Sequence, residues 1–451
     1  MRHVIIGAGP AGVIAAETLK KTDPAAVVAI IGDEPEPPYS RMAIPYLLQE
    51  NIPEEGTWLR KNRDHYDRLG IHVVRDRVES IDRDAKTVAL AGGGIESYDR
   101  LLIATGSKPI KPPIDGIDLP QVHPCWTLED ARKIISGAKK DEPVLLMGAG
   151  FIGCIILEAL ARRGVKLSVV EMGDRMVPRM LDENAGGHIK RWCQSKGIAV
   201  HTSNRVERIE RTRGGFLGIG GDSKLIAHLA DGQTIEASLI IRATGVVPNI
   251  DFLDGSGIEI GRAKGILVDR RLRSSDENIY AAGDVAEGID FSTGEHSVQA
   301  IQPTAADHGR IAALNMCGKA TAHQGSVNMN VLDTVGLVSC SFGQWMGVEG
   351  GSSAILNAPE QYRYINLQFE DDILVGASLQ FKVKEEKSNL PSSTGLHSVG
   401  ILRGMIQSRL RLGRWVEHLR EDPSRFAEAY VAQSQAIEAN TRAFSLNPLG
   451  H

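Results

Sequence analysis

The chain has 451 residues, enough for about three domains at ~150 residues each. Its composition, 42% hydrophobic and 24% charged, is that of an ordinary globular protein, and a formal net charge of -5 argues against a nucleic-acid binder. The five cysteines (Cys125, Cys154, Cys193, Cys317, Cys340) form neither a CxxC nor a zinc spacing, which speaks against a dithiol centre and fits small buried residues in a reducing compartment.

Met1-Arg2-His3 runs directly into an apolar strand, Val4–Ile6, leaving no room for a signal peptide and predicting a cytoplasmic protein. Gly7, Gly9 and Gly12 follow as GxGxxG, then a helix to about Lys21 and a strand, Val27–Ile31. Such a unit cradles a pyrophosphate. Its glycines supply a tight turn, bare backbone for close approach and close helix–strand packing, and the helix N-terminus favours negative charge. Either Asp33 or Glu34 then takes the adenosine ribose; the sequence leaves the choice open. Pro37–Arg41 is kinked and basic, either a surface loop or a segment that lays the Arg41 guanidinium against a pyrophosphate.

Val73–Val88 reads as short strands with a polar face, and Leu101–Ala104 as an apolar strand entering Thr105-Gly106-Ser107. Lys108–Pro113 is a proline-rich linker. The glycine unit then recurs: strand Val144–Met147, Gly148, Gly150 and Gly153, a helix from about Phe151 and Ile152 to Arg163, and strand Lys166–Val170 ending on Glu171. Val144–Leu157 is uncharged, but three glycines and Glu158 argue against a membrane span. A carboxylate at Glu171 can accept from both ribose hydroxyls and repels a 2′-phosphate, so NAD(H) is expected over NADP(H).

Val206–Thr244 alternates as an antiparallel meander about Gly214-Gly215 and Asp231-Gly232, closing on Leu239–Ala243 and a second Ala-Thr-Gly that ends at Gly245. Ile279–Ala282 is a strand that stops at Gly283 and Asp284. Asp284 either caps a helix over Thr304–Met316 or holds a polyol hydroxyl of a cofactor. Beyond about Gln324, Val331–Cys340, Tyr362–Glu370 and Ile373–Gln380 read as an antiparallel sheet with a turn at Asp371-Asp372. Ser388–Thr394 reads as a loop, and Val399–Arg411, Trp415–Arg420 and Ser424–Arg442 as helices. Arg403, Arg409, Arg411 and Arg414 lie in an acid-free stretch, either a solvated helical face or a docking surface for an acidic redox partner.

In order, GxGxxG, YxR, ATG, GxGxxG…E, ATG…PN and AAGD resemble, over roughly Met1–Ala320, the two-dinucleotide flavoprotein reductases of the pyridine nucleotide–disulfide oxidoreductase superfamily. The resemblance implies an α/β fold with two Rossmann-like dinucleotide-binding domains, for FAD and NAD, and a smaller α+β C-terminal domain with a helical tail. The FAD-binding domain would be discontinuous, 1–112 and 246–324, around an NAD-binding domain, 113–245, with an interface domain and tail over 325–451. By position, Gly7, Gly9, Gly12, Asp33 or Glu34, Arg41, Ala104 and Asp284 would touch FAD. Thr105, Gly106, Gly245 and Gly283 complete the cofactor-binding set, with Gly148, Gly150, Phe151, Ile152, Gly153 and Glu171 for NAD.

The chain departs from the family in four places. It has no redox cysteine pair, Met42 stands where some relatives carry a single cysteine, and the C-terminal HxxxxE is missing. Tyr46 and Ile155 replace a lysine and a glutamate that pair beside the flavin in many relatives; their joint loss avoids a buried unpaired charge, which costs several kcal/mol. The expected function is therefore an FAD-dependent NAD(H):acceptor oxidoreductase with no catalytic side chain and no metal, exchanging electrons with an iron–sulfur protein. It would be free-standing or the NAD-facing subunit of a complex such as a phenylglyoxylate-type 2-oxoacid dehydrogenase, as a homodimer or hetero-oligomer. The alternatives are an NADH oxidase, a coenzyme A-disulfide reductase-like enzyme and a non-catalytic flavin-bearing interaction protein.

Overall fold

A computed structural model describes residues 1–212, 224–383 and 396–445; the expected turn at Gly214-Gly215 and loop at Ser388–Thr394 lie outside the described residues. Helices of about two turns or more are α1 (Pro10–Thr22), α2 (Leu128–Gly137), α3 (Phe151–Arg162), α4 (Glu183–Ser195), α5 (Gln302–Met316), α6 (Leu396–Ser408), α7 (Trp415–Glu421) and α8 (Phe426–Ser445). Among the described residues no helix is long and apolar enough to cross a membrane.

Two parallel sheets organise the molecule. The first has the order Ile279–Ala281, Arg100–Ile103, Arg2–Ile6, Val27–Gly32, Ile71–Arg75. The second has the order Ala199–His201, Lys166–Val170, Pro143–Met147, Leu239–Arg242, Val122–Pro124. Their central strands are the apolar runs that precede each glycine motif, and Val4, Ile5, Leu145 and Leu146 are fully buried, as strands covered on both faces require. In both sheets the strand that ends in Ala-Thr-Gly lies directly beside the central one.

Leu239–Arg242 therefore joins the parallel sheet instead of closing the meander, which is limited to Val206–Arg211, Leu225–Leu229 and Thr234–Ala237. Its apolar run Leu239-Ile240-Ile241 suits burial on both faces. Likewise Ile71–Arg75 forms the edge of the first sheet, while Val78–Asp82, Thr87–Leu90 and Ile95–Ser97 make a separate antiparallel meander. The two passages between the sheets lie side by side: Ser107–Pro109 pairs antiparallel with Val246–Pro248. The Thr105 hydroxyl donates to the Asn249 carbonyl at 2.7 Å, knitting the two crossings together.

A five-stranded antiparallel sheet forms the third layer, ordered Met329–Thr334, Leu337–Gly343, Ile373–Lys382, Arg363–Glu370, Ser352–Ala358. The single strand expected over Val331–Cys340 is a hairpin. Val335 and Gly336 both take positive φ, 54° and 85°, the two-residue turn whose twist matches its flanking strands. The edge strand Ser352–Ala358 has no clear alternation in the sequence. Helix α6 stops at Ser408 because Arg409 adopts φ 48°.

Two of the four tail arginines are ion-paired. Arg409 pairs with Glu370 at 3.3 Å and Arg411 with Asp372 at 2.9 Å, both carboxylates lying at the end of the neighbouring hairpin. The stretch lacks acids in sequence, but the fold supplies them, so its positive charge is partly neutralised from within.

Candidate functional site

Both glycine motifs fold as their spacing predicts. Gly7 and Gly148 turn out of their strands at φ 114° and 99°, where a Cβ would overlap the carbonyl oxygens of Ala104 and Ala243. A Cβ on Gly12 or Gly153 would overlap the carbonyl of Gly7 or Gly148, so α1 and α3 pack directly on the loops. Gly9 and Gly150 face open space: a Cβ on either would meet nothing within 4 Å. This is the bare backbone that a pyrophosphate needs.

The helix N-termini agree with that chemistry. Thr127 caps α2 through a reciprocal capping box with Asp130, and Asp182 caps α4 by accepting from Ala185 N–H at 3.0 Å. By contrast α1, α3 and α5 have no side-chain cap and no acid in the first turn. Their unpaired N–H groups are free for an anionic ligand. All three open onto one cavity of about 430 Å³, through Gly9-Pro10, Phe151-Ile152 and Gln302. The residues present thus fit a dinucleotide.

Gly7, Gly9, Asp33, Glu34, Arg41, Ala104, Thr105, Gly106, Gly283 and Asp284 all line this cavity, and Phe151 and Ile152 join them from the second unit. Gly12, Gly148, Gly150, Gly153, Glu171 and Gly245 do not line it. Gly245 lies at the crossing, its carbonyl accepting from Ile110 N–H at 2.9 Å.

Glu34 is fixed within the wall: its carboxylate accepts from Arg41 at 2.6 Å and from the Tyr39 hydroxyl at 2.5 Å. Asp33, beside it, is exposed. Arg41 also donates to the Trp126 carbonyl at 2.7 Å. Asp284 does not cap a helix, since α5 begins at Gln302 behind Ile301. Its carboxylate instead accepts from the Ser107 hydroxyl at 3.0 Å; burial raises its pKa, and the Ser107 hydrogen bond and Arg41 oppose that rise. Glu171 braces its own glycine loop, accepting from Ala149 N–H at 2.6 Å and from Gly173 N–H at 2.7 Å.

The wall between the two units is apolar. Met42, Ile44, Phe151, Ile152, Ile155 and Ile156 line it, whereas Tyr46 is exposed and takes no part in it. Cys125 also stands in the wall, and burial pushes its thiol up to about 12, which keeps it protonated. Cys154, Cys193 and Cys340 are buried elsewhere. Sequence reasoning missed Ser107, Trp126 and Gln302, which belong to no motif. The only signal near Trp126 was the Thr127-x-x-Asp130 capping box, which marks a helix start and not a site.

The family model described as pyridine nucleotide-disulphide oxidoreductase matches residues 1–308. The chain is 31% identical over 374 residues to the NADH-dependent phenylglyoxylate dehydrogenase subunit epsilon of Aromatoleum evansii, covering 82% of this chain and 86% of that one. It is 34% identical over 329 residues to an NADH oxidase of Methanocaldococcus jannaschii, covering 70% of each. Among solved structures, a NAD-dependent persulfide reductase from A. fulgidus superposes with a TM-score of 0.82 at 27% identity, covering 92% of this chain and 78% of that one.

Proposed function

The chain belongs to the pyridine nucleotide-disulphide oxidoreductases, enzymes that use FAD and NAD(H), and from that premise we propose that it passes electrons between NAD(H) and a redox protein, an iron–sulfur one. One observation carries the reading: α3 of the second glycine unit opens, through Phe151, Ile152 and Ile155, into the same cavity as the first unit's Gly9-Pro10. We assign the first unit, residues 1–112 with 246–324, to FAD, residues 113–245 to NAD and residues 325–451 to an interface domain. When bound, FAD supplies the hydride exchange with nicotinamide and the division of electron pairs into single electrons.

The chain's own contribution is binding and exclusion of water. Gly9 and Gly150 offer bare backbone, Asp284 offers a carboxylate to a polyol, and Glu171 offers one to a ribose. Phe151 and Ile155, with the half-exposed Met42, give the cavity an apolar lining. No acid–base side chain is needed there, and the protonated Cys125 thiol makes a poor nucleophile. Electrons that have no thiol relay must pass to an acceptor directly. The Aromatoleum evansii relative is named as a subunit, which supports a complex whose clusters lie on another chain.

Stopped-flow reduction by NADH followed by rival acceptors tests this. A ferredoxin-type protein should reoxidise the enzyme faster than oxygen or a disulfide does. Preference for oxygen would point instead to an oxidase, the activity named for the Methanocaldococcus jannaschii relative.

A further inference from the structure

Trp126 belongs to the second unit by chain position and to the first unit's cavity by contact. It follows Val122–Pro124, an edge strand of the second sheet, and immediately precedes the Thr127 capping box of α2. Its backbone is held on both sides: its N–H donates to Asp130 at 3.1 Å, and its carbonyl accepts from Arg41 at 2.7 Å. Its indole N–H donates to the Ser107 carbonyl at 3.0 Å, and the Arg41 guanidinium lies 5.4 Å from its ring centroid. That distance places the cation within reach of the ring's negative face. The same Ser107 donates its hydroxyl to Asp284.

These contacts tie two of the cavity's charged groups, Arg41 and Asp284, to one residue: Arg41 through the Trp126 ring and carbonyl, Asp284 indirectly through Ser107. Arg41 has several competing partners: Glu34, the Tyr39 hydroxyl and the Trp126 carbonyl. A flexible guanidinium drawn wholly onto Glu34 would be neutralised. The indole face and the carbonyl of Trp126 hold it at the wall, where an arriving pyrophosphate meets a positioned fork and not a free rotor. Through Ser107, the indole N–H also fixes the strand that carries the hydroxyl on Asp284.

We propose that Trp126 is a positioning residue for FAD, so that the flavin site is completed by the nicotinamide-side unit and the two units are coupled through cofactor retention. This rests on the assignment of FAD to the first unit. Seating of FAD should stiffen the Trp126–Ser107 contact and with it the crossing between the sheets.

The test uses the full chain, freed of cofactor and titrated with FAD, in wild type, Trp126→Phe and Trp126→Leu. Affinity is read from flavin fluorescence, and the melting temperature is recorded with and without FAD. Trp126→Leu, which loses the ring face and the donor, should weaken FAD binding roughly tenfold, the scale expected for a lost cation–π contact plus a hydrogen bond. Trp126→Phe, which keeps a ring face, should fall between. Quenching of protein fluorescence by FAD should be smaller in both variants, because Trp126 lines the cavity. Unchanged affinity in both variants would overturn the proposal, as would a lower melting temperature of the cofactor-free protein with unchanged affinity. If Trp126→Leu does not fold, Trp126→Phe with undiminished quenching and affinity overturns it equally. Failure of the wild type to bind FAD would instead sink the assignment of the cavity.

Discussion

The Glu171 carboxylate accepts a 2.6 Å hydrogen bond from the backbone N–H of Ala149, the residue between the first two glycines of the second cradle. The side chain that is expected to select the ribose therefore also holds the phosphate loop. Glu171→Ala should lower kcat/KM for NADH by about tenfold to a hundredfold, the range for ~1.5–3 kcal/mol of charge-assisted hydrogen bonding. Adding Met172→Arg, at an exposed neighbouring position, should shift preference toward NADPH. Parallel steady-state kinetics with both nucleotides checks this; a wild type that prefers NADPH would show that Glu171 has been misassigned.

Asp284 stands at the end of the strand Ile279–Ala281, with Ser107 donating to it. Asp284→Ala should loosen FAD by on the order of 1–3 kcal/mol, through the loss of one or two hydrogen bonds to a polyol. Equilibrium dialysis of FAD against the variant and wild type measures it. Retention equal to wild type would mean that this carboxylate does not touch the cofactor.

Cys125 is the sharpest case among the five cysteines, because it lines the cavity. Cys125→Ala should leave flavin reduction by NADH within a few-fold, since burial holds the thiol protonated near neutral pH. Replacing Cys154, Cys193 or Cys340 by Ser should lower stability without changing that rate, because each sits in the core and a hydroxyl there lacks solvent. Loss of flavin reduction in a folded, FAD-loaded Cys125 variant would restore thiol chemistry as a reading.

His308 lies buried on α5, its ring 4.7 Å from that of His323, and the two rings reach the Ser326 hydroxyl at 3.5 and 3.4 Å. Burial, with a smaller contribution from His323, lowers the His308 pKa to about 3. Below the ordinary value of 6.5 the unfolded chain binds a proton that the folded chain refuses, so stability falls as pH drops from about 6.5 toward 3. From pH 7 to pH 5 the loss from this group should be about 2 kcal/mol. Thermal unfolding of wild type and His308→Gln at both pH values checks it: the variant should lose less on acidification. Identical losses would assign the acid sensitivity elsewhere.

Much of the site could be read before any fold was known. Each cradle is a local object, a strand, a turn and a helix start within about ten residues, and its glycines are dictated by backbone approach that no other residue allows. The same holds for Glu171, whose place at the tip of the second strand follows from that strand's length. The hairpin at Val335-Gly336 was less legible, because its first turn position is Val335, a β-branched residue that does not announce a positive φ. The strand Ser352–Ala358 was hidden for another reason: its apolar residues Ala354-Ile355-Leu356 are consecutive, so this edge strand shows no alternation.

The sequence by itself therefore determined two strand–glycine turn–helix units, a carboxylate at the end of the strand that follows the second, and the absence of a cysteine pair, because each depends on residues close together in the chain. Only the tertiary structure decided that the second unit's helix opens into the first unit's cavity. It alone brought Trp126 and Ser107 to Arg41 and Asp284, and set Glu370 and Asp372 against Arg409 and Arg411. Those partners are separated by tens to hundreds of residues, and what joins them is the packing of sheets and the crossing strands, which no local spacing encodes.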